Sequence, residues 1–293
     1  MKQVIVAVLI ALVIASCSTT NKSSNIKNST KMDSKTKLSN KDKVVALLNS
    51  FNTGDQTPIS YINPNKYTQH NLGVGDGLAG FGQVMHHAPE GGFKAKVIRV
   101  FEEGNYVFTH TEYDFFGSKI GFDIFRFEDG LIVEHWDNFS EVTLANPSNH
   151  NQTDGNTTIT DLDKTNANKK LVKDFINTVL IKGEFDKMPN YFDGDNYIQH
   201  NSMIGDGLSG LGKAFEEMAK NGVTMVFEKN HIILAEGNFV LAVSEGKFAE
   251  KPTSFYDLFR IENGKIAEHW DTIETIAPES DRKNSNGKFN FPN

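Results

Sequence analysis

The feature that most restricts how this chain can fold is a long internal repeat. The segment YTQHNLGVGDGLAGFG at positions 67 to 82 returns as YIQHNSMIGDGLSGLG at positions 197 to 212. Further matches follow in the same order: EGN at 103 and 236, DIFRFEDG at 123 with DLFRIENG at 257, and EHWD at 134 and 268. A period of about 130 residues is too long for a solenoid and has the length of a whole domain. The chain is therefore predicted to contain two copies of one domain.

The N-terminus has the pattern of an export signal. Met1 and Lys2 precede the apolar run VIVAVLIALVIA, which ends at Cys17 in IASC. A basic start, a short apolar core and small residues before the cleavage point are typical of a secretory signal. IASC also resembles the lipobox of bacterial lipoproteins, in which the cysteine becomes the lipidated first residue. We therefore expect a lipoprotein signal over residues 1 to 17, a lipid anchor at Cys17, and a place on a membrane of the bacterial cell envelope.

Composition excludes several classes of function. Cys17 is the only cysteine, so its lipidation would leave no thiol for nucleophilic catalysis, a disulfide or metal binding. The formal net charge of −7 provides no basic surface, and no nucleic-acid partner is expected. No two of the nine histidines have the i, i+4 spacing of a metal site on a helix. Neither a metal nor a cofactor is expected.

Polar segments separate the predicted domains. Residues 18 to 42 are rich in Ser, Thr, Asn and Lys, and have too few apolar groups to repay the entropy of ordering, so they are predicted to form a disordered tether. Residues 144 to 165 are predicted to be a linker, and residues 277 to 293 a loose polar tail. The two domains then span residues 43 to 143 and 166 to 276.

Within each copy, helices precede strands. Leu171, Phe175 and Val179 form an apolar helical stripe that stops at Gly183, a residue suited to a left-handed helix cap. A short helix is predicted over FDKMPNYF, and another after each Gly-Asp-Gly turn. Alternating residues then predict antiparallel strands in FKAKVIRVFEE, YVFTHTEYDFF and GFDIFRFEDGLIVEHWD. This order predicts an α+β fold, in which a curved sheet folds over its own helices.

The motifs YxQHN, EGNxV, D[IL]FRxE[ND]G and EHWD resemble those of the SnoaL-like family. That family belongs to the nuclear-transport-factor-like superfold, which also includes ketosteroid isomerase, scytalone dehydratase and many proteins that only bind ligands. The resemblance covers about residues 43 to 143 and 166 to 275. It implies two tandem cone-shaped α+β barrel domains, each with a pocket between N-terminal helices and a curved antiparallel sheet. One superfold hosts many functions, so the resemblance is stronger for fold than for activity.

The turn of the last hairpin decides which polar residues face that pocket. If EDG is a three-residue loop, Asp123 lies opposite His135 and shares a face with Asp137. If the turn has two residues, Asp123 shares a face with Glu134 and Trp136 instead. We favour the first arrangement, partly because the aspartate of IDHFRF in ketosteroid isomerases corresponds to Asp123 and faces the pocket.

These residues are the candidates for chemistry. An aspartate among phenylalanines is costly to ionise, so Asp123 is expected to be protonated and, by resemblance to ketosteroid isomerase, to donate a hydrogen bond to a developing enolate. Asp137 with His135, or His70, is the candidate general base. His110 makes the first pocket the better equipped, since the second copy has valine there. The candidates of the second copy are Asp257, His269, Asp271 and His200.

Structural roles compete with these assignments. His70 and His200 are also suited to capping a helix or binding a backbone carbonyl. Trp136 and Trp270 are predicted to be buried on the outer sheet face, where the two copies meet. Arg126 is expected to pair with Glu134, and its repeat counterpart likewise. GDGLAGFG is interpreted as a turn with a packed helix, because it lacks the glycine spacing of a phosphate-binding loop.

Two functions remain open. One is cofactor-free acid/base catalysis on a hydrophobic carbonyl compound by an envelope-anchored enzyme: aldol condensation, isomerisation or dehydration. Steroid isomerisation is not expected, because QHNL and QHNS replace the Glu-Asp-Pro stretch that carries the base of ketosteroid isomerases. The alternative is a lipoprotein that binds or carries a small hydrophobic molecule without chemistry. Under both, the two repeats are expected to form an intramolecular pseudo-dimer, since fusion lowers the entropic cost of association.

Overall fold

The structure, a computed structural model, describes residues 38 to 292. Both repeats belong to one unit that begins at Leu38. Cys17, the predicted export signal and the predicted tether up to residue 37 lie outside the described residues. Within residues 38 to 292, no helix has the length and apolar character needed to cross a membrane.

Each repeat forms a five-stranded sheet accompanied by two main helices. The helices of repeat 1 are α1 (Asn40–Thr53) and α2 (Gly77–His86), and its strands are β1 (Thr68–Gln69), β2 (Lys94–Glu103), β3 (Tyr106–Asp114), β4 (Ser118–Glu128) and β5 (Leu131–Glu141). Those of repeat 2 are α3 (Thr165–Phe175), α4 (Gly207–Lys220), β6 (Ile198–Gln199), β7 (Met225–Glu236), β8 (Phe239–Phe248), β9 (Lys251–Glu262) and β10 (Lys265–Thr275). The strand orders are β1-β5-β4-β3-β2 and β6-β10-β9-β8-β7, which confirms the α+β class.

The predicted helices and long strands are present. A π-helical segment, Ile176–Ile181, continues α3 toward Gly183, whose φ is 72°. FDKMPNYF contains a 3-10 helix over Phe185–Asn190. The two-residue strands β1 and β6 were not predicted, because two residues carry no periodicity; they pair in parallel with β5 and β10. Helix α1 begins at Asn40, so the end of the segment predicted as a tether, 18 to 42, belongs to the first domain instead.

The Gly-Asp-Gly turn holds β1 against α2. Asp76 is the N-cap residue of α2, and its Oδ1 accepts a hydrogen bond from the backbone N–H of Gln69 at 3.0 Å. Gly77 has a φ of 68°, a conformation in which glycine is unstrained. Gly80 packs on Gly75 so closely that a Cβ added to Gly80 would lie 1.7 Å from the Gly75 carbonyl oxygen. The motif therefore serves as a turn and as a helix contact.

Two glycines of α2 give opposite expectations for alanine. Gly80→Ala is expected to lower the free energy of unfolding by about 1–3 kcal/mol, the usual range for overpacking, because the backbone of Gly75 must move. Gly82→Ala is the matched control: a Cβ there would meet no atom within 4 Å, so helix propensity should raise stability by about 0.5–1 kcal/mol. Urea unfolding measures both changes, and equal signs would contradict the packing argument.

The outer faces of the two sheets pack on each other. This inter-repeat core is built from buried side chains of both repeats: Phe101, Phe108, Ile120, Phe122, Ile124 and Trp136 with Leu234, Phe239, Leu241, Val243, Tyr256, Leu258 and Trp270. Asn138 adds a polar link, since its side-chain amide donates to the Thr272 carbonyl at 2.8 Å. The prediction that Trp136 and Trp270 lie on the outer face where the copies meet is confirmed.

The segment after the first sheet packs on repeat 2. We call residues 144 to 160 the linker strap. Its Asn146 donates to the carbonyl oxygens of Gln199 and Ile204 at 2.7 and 2.9 Å. The Asp154 carbonyl accepts from the indole N–H of Trp270 at 2.9 Å. The polar groups of the linker strap therefore form hydrogen bonds with backbone and side-chain groups of the second repeat.

The segment after the second sheet returns to repeat 1 in the same manner. We call residues 277 to 292 the tail strap. Its Asn284 donates to the carbonyl oxygens of Asn71 and Val74 at 2.7 and 2.8 Å. Phe291 stacks on Trp136 with ring centroids 4.5 Å apart. The prediction that residues 277 to 293 form a loose tail is therefore wrong for its described part, because Asn284 and Phe291 find partners in the folded first repeat and Phe289 stacks on His231 of the second.

Candidate active site

A cavity of about 80 Å³ lies between the inner face of the first sheet and helices α1 and α2. Its walls are apolar, and half of the apolar side chains are aromatic: Phe51, Tyr67, Phe81, Tyr113, Phe115, Phe125 and Phe139. Its polar lining consists of Gln69, Asn71, Asp123, His135 and Asp137. The second repeat encloses an equivalent cavity of about 70 Å³, whose polar lining is Gln199, Asp257, His269 and Asp271.

The β4–β5 hairpin has a two-residue turn. Glu128 pairs with Leu131, so only Asp129 and Gly130 lie in the turn, with φ of 50° and 77°. Positive φ at both positions is the geometry that Asp-Gly favours between twisted strands. The favoured prediction of a three-residue loop is therefore wrong. A bulge that leaves Val133 without a partner shifts the register and restores the parity that a two-residue turn would change.

The bulge brings the candidate carboxylates to one inward face. Asp123 pairs with Asp137, and Phe125 pairs with His135, so the three polar residues share a face as predicted. The prediction that Asp123 lies opposite His135 is wrong, since the two are diagonal neighbours. The β9–β10 hairpin repeats the arrangement with its bulge at Ala267. The two-residue turn and the bulge together therefore place these residues on the predicted face.

Hydrogen bonds define the tautomer of His135. Gln69 Oε1 accepts from the backbone N–H of Asn71 at 2.8 Å, and it lies 3.2 Å from His135 Nδ1. Because a carbonyl oxygen can only accept, Nδ1 must carry a hydrogen. His135 Nε2 lies 3.2 Å from Asp123 Oδ1. One further proton is therefore shared between His135 and Asp123, either as an ion pair or as a neutral pair.

The second repeat has the same pair. His269 Nε2 lies 3.1 Å from Asp257 Oδ1, and its Nδ1 lies 3.0 Å from Gln199 Oε1. Burial lowers the pKa of His269, but the hydrogen bond to Asp257 and the charges of Asp271 and Asp257 outweigh it and raise this pKa above its usual value. The aspartate–histidine pair is therefore a shared feature of both pockets.

The partners of the inner aspartate differ between the repeats. Asp123 Oδ2 accepts from the hydroxyl of Tyr113 at 2.8 Å and from that of Thr109 at 3.2 Å. The register places Ala242 and Gly246 at the equivalent positions, and Asp257 Oδ2 is buried without a hydrogen-bond partner. A side chain at Gly246 is precluded, because a Cβ there would lie 1.9 Å from the Val226 carbonyl oxygen. The first pocket is the better equipped.

The outer aspartates differ as well. Asn71 donates to Asp137 Oδ2 at 2.8 Å, whereas Asp137 Oδ1 is buried and has no hydrogen-bond partner. In repeat 2, Asn201 lies within 2.8 and 3.0 Å of both oxygens of Asp271. Burial, followed by the charge of Asp257, raises the pKa of Asp271, and this outweighs His269 and the hydrogen bond from Asn201. Of the two outer aspartates, Asp137 is thus the one with an oxygen free of hydrogen bonds.

His70 and His200 lie on the opposite side of the sheet, which excludes them as pocket bases. In each repeat the preceding glutamine faces the pocket, and successive strand residues point to opposite faces. His70 stacks on Trp136 with ring centroids 4.4 Å apart, and its Nδ1 lies 2.7 Å from a tail-strap carbonyl. His200 stacks on Trp270 at 4.8 Å and lies 2.9 Å from a linker-strap carbonyl. The repeated histidine binds the straps.

His110 also lies outside the pocket. Its neighbour Thr109 faces Asp123, so alternation turns His110 toward the inter-repeat core, where its Nδ1 is 3.0 Å from Arg99 Nη1. Burial, and then the charges of Arg99 and His200, hold the pKa of His110 well below its usual value. The predicted asymmetry of the two pockets is thus present, but Tyr113 and Thr109 cause it. Both differences are visible when YVFTHTEYD is aligned with FVLAVSEGK.

The predicted arginine–glutamate pairs are buried beside the strap-binding histidines. Arg126 bonds Glu134, and Arg260 Nε donates to Glu268 Oε2 at 2.6 Å. His200 Nε2 lies 2.9 Å from Glu268 Oε1. Although burial raises it, the hydrogen bonds from His200 and Arg260 bring the pKa of Glu268 below its usual value. This carboxylate therefore stabilises the fold in its ionised form.

The depressed pKa of Glu268 gives a pH prediction. Its contribution to stability is present above the unfolded value near 4.5 and is lost as pH falls through the lower folded value. Glu268→Gln is expected to lower the free energy of unfolding by about 1.5–3 kcal/mol at pH 7, and the difference from wild type should shrink toward pH 3. Urea unfolding at several pH values measures it, with exposed Glu216→Gln as control. A constant difference would contradict the assignment.

The pocket groups are compatible with proton transfer and, by spacing alone, with a small cation. One oxygen or nitrogen of Asp123, His135 and Asp137 lies within 4.8 Å of the other two, and repeat 2 has the same cluster. Both nitrogens of His135 are already engaged, by Gln69 and by Asp123. Together with the aromatic walls, this arrangement favours a shared proton over a hydrated cation.

Comparison with known proteins yields matches among solved structures alone; no family model and no curated protein matches the chain. The chain is similar to an NTF2-like protein of unknown function from Cytophaga hutchinsonii, at 22% identity over 36% of this chain and 94% of that chain, with a TM-score of 0.32. It is also similar to IdmH of Streptomyces antibioticus, proposed to be a polyketide cyclase, at 20% identity over 35% of this chain and 93% of that chain, with a TM-score of 0.30. A third similar structure is an LEH-like epoxide hydrolase from M. tuberculosis, at 24% identity over 38% of this chain and 85% of that chain, with a TM-score of 0.29. Each of these likenesses covers between 35% and 38% of this chain, which is about the length of one repeat.

Proposed function

We propose that the first pocket catalyses cofactor-free proton abstraction next to the carbonyl group of a compact hydrophobic compound. The observation that carries this proposal is the free Oδ1 of Asp137 beside a hydrogen-bonded Asp123–His135 pair in an aromatic cavity. We further propose that each repeat has the cone-shaped nuclear-transport-factor-like form, and that Cys17 anchors the protein at the cell envelope.

Asp137 acts as the general base in this proposal. Asn71 holds one carboxylate oxygen at 2.8 Å, which orients the other for a carbon-bound proton. The proton passes to Asp137 Oδ1, and the electron pair of the broken C–H bond moves onto the carbonyl oxygen. The resulting enolate then reacts by aldol closure, returns a proton at another carbon, or expels water.

The inner cluster stabilises the enolate oxygen. Burial, and then the charge of Asp123, raise the pKa of Tyr113 well above its usual value, so its hydroxyl remains a hydrogen-bond donor. The shared proton of His135 and Asp123 is a second candidate donor, and like the Tyr113 hydroxyl hydrogen it must turn from Asp123 to the enolate oxygen when the substrate binds. Among the apolar walls of this cavity such donors are more effective than in bulk solution.

The size of the cavity indicates the size of the substrate. Typical ligand pockets enclose about 300–1,000 Å³, whereas this cavity encloses about 80 Å³. A ligand that fits without displacing the walls has about the size of one ring. The aromatic lining selects an apolar body, and the polar cluster at one end selects a carbonyl group.

The second pocket fits binding better than catalysis. It retains the Asp257–His269 pair, but both oxygens of its outer aspartate are bound by Asn201, and it lacks the two hydroxyl donors of repeat 1. We propose that repeat 2 holds a small hydrophobic molecule, or supports repeat 1, without turnover.

Exchange of carbon-bound hydrogen tests the proposal without a known substrate. Cyclohexanone and acetophenone, incubated with the protein in D2O, are expected to lose their α-proton NMR signals faster than in buffer. Magnetisation transfer from protein to ketone reports binding in the same samples. Binding without faster exchange would replace catalysis with the carrier function, and absence of both would overturn the assignment of carbonyl compounds.

A further inference from the structure

The tail strap brings a buried lysine next to the first pocket. Lys288 has a side chain that is only 3% exposed, and lysine is almost never buried unless it is paired. Its Nζ lies 3.0 Å from Glu274 Oε1 and 3.9 Å from Asp137 Oδ1, the oxygen that has no hydrogen-bond partner. Lys288 does not line the cavity, so it would act through Asp137 and not on a ligand.

The second pocket has no counterpart to this lysine. Gly287 in the tail strap and Asn151 in the linker strap bind the repeated histidines through their carbonyl groups, so Gln152 corresponds to Lys288. The Gln152 side chain is neutral and bonds Thr143 and the Glu141 carbonyl. Among residues 38 to 292, no lysine or arginine forms a salt bridge with the outer aspartate of the second pocket.

The surroundings of Asp137 make this cation consequential. Asp123 pairs with Asp137 across the strands, and Glu274 shares Lys288 with it. Burial, and then nearby carboxylates that include Asp137, raise the pKa of Tyr67, Tyr113 and Tyr256. On the cationic side, Asp137 is faced by His135, two residues earlier on the same strand, and by Lys288. Burial without a cation favours the neutral carboxyl, and a lysine about 4 Å away favours the ionised form.

We propose that Lys288 is a positioning residue of the first pocket, which keeps Asp137 ionised while leaving Oδ1 free of a hydrogen bond. The base of repeat 1 is thus completed by the segment that follows repeat 2. Only the effect on rate rests on the proposed function, since the charge of Asp137 is measurable by itself.

Carbon-13 NMR titration of aspartate carboxyl groups in the full chain tests this role. In Lys288→Met, the midpoint of Asp137 should rise by about one to three pH units, and Lys288→Arg should restore it. Lys283→Met is the matched control, because Lys283 is exposed on the same strap.

The outcomes separate the two proposals. A folded Lys288→Met protein whose Asp137 midpoint does not move would overturn the role of Lys288, whatever the ketone exchange shows. A shifted midpoint in a protein that never exchanges ketone protons would support Lys288 and overturn the catalytic proposal. If exchange occurs, the acid limb of its pH–rate profile should move with the midpoint. Should Lys288→Met fail to fold, Lys288→Gln replaces it, and an Asp137 midpoint that does not move in that neutral variant would overturn the inference.

Discussion

Asp137→Asn is expected to reduce ketone α-proton exchange by a factor of about 10² to 10⁴, the usual contribution of a positioned general base. Asparagine has nearly the same shape as aspartate, so the aromatic walls and the Asp123–His135 pair should remain. What is lost is the one carboxylate oxygen of the first pocket that lies free of hydrogen bonds. Ketone binding should change little.

Asp271→Asn in the second pocket is the matched control, since Asn201 already occupies both oxygens of Asp271. Its exchange rate is expected to stay within about twofold of wild type. The measurement is the decay of the α-proton signal of cyclohexanone in D2O, with the circular dichroism of each variant as the check on folding. A loss of about half of the rate in each variant would place the chemistry in both pockets, and no loss in Asp137→Asn would remove Asp137 as the base.

Trp136→Ala is expected to lower the free energy of unfolding by about 3–5 kcal/mol. The Trp136 side chain is completely buried in the inter-repeat core and lies between His70 and Phe291, at centroid distances of 4.4 and 4.5 Å. Its removal creates a cavity and takes away the surface on which the tail strap rests. The loss should therefore exceed that of a core residue that contacts one repeat alone.

Leu144→Ala is the control for this substitution, because the Leu144 side chain is 90% exposed and should change stability by less than about 0.5 kcal/mol. Urea unfolding measures both variants. Limited proteolysis adds a second readout, since a loosened tail strap should be cut earlier in Trp136→Ala. A loss below about 1 kcal/mol would contradict a central place for Trp136 in the contact between repeats.

The straps give a physical reason for the repeated histidine. Each of His70 and His200 stacks on the tryptophan of its own repeat and bonds a carbonyl of the strap that follows the other repeat. Each repeat therefore secures the segment that leaves its partner. The interpretation of these histidines as backbone hydrogen-bond partners agrees with the structure, and their role as pocket bases does not.

The amino-acid sequence by itself determined the two-repeat organisation and the α+β class, because repeated motifs and the alternation of apolar residues are local properties. It also predicted that Asp123, His135 and Asp137 share a face, although the turn it favoured was wrong. The two-residue turn alone would turn Asp137 to the face opposite Asp123, and the bulge at Val133 turns it back. Together they place these residues on the same face that the favoured three-residue loop would have given.

Only the tertiary structure decided which histidines are in the pocket and which groups surround the carboxylates. His70 and His200 are placed by two-residue strands, too short to show a period, that pair in parallel with strands far along the chain. Lys288 lies 151 positions after Asp137 and reaches it because the tail strap crosses to the first repeat. Contacts of this kind depend on how the two domains pack. The pattern of residues along the chain does not give the distance in space between residues that are far apart in sequence.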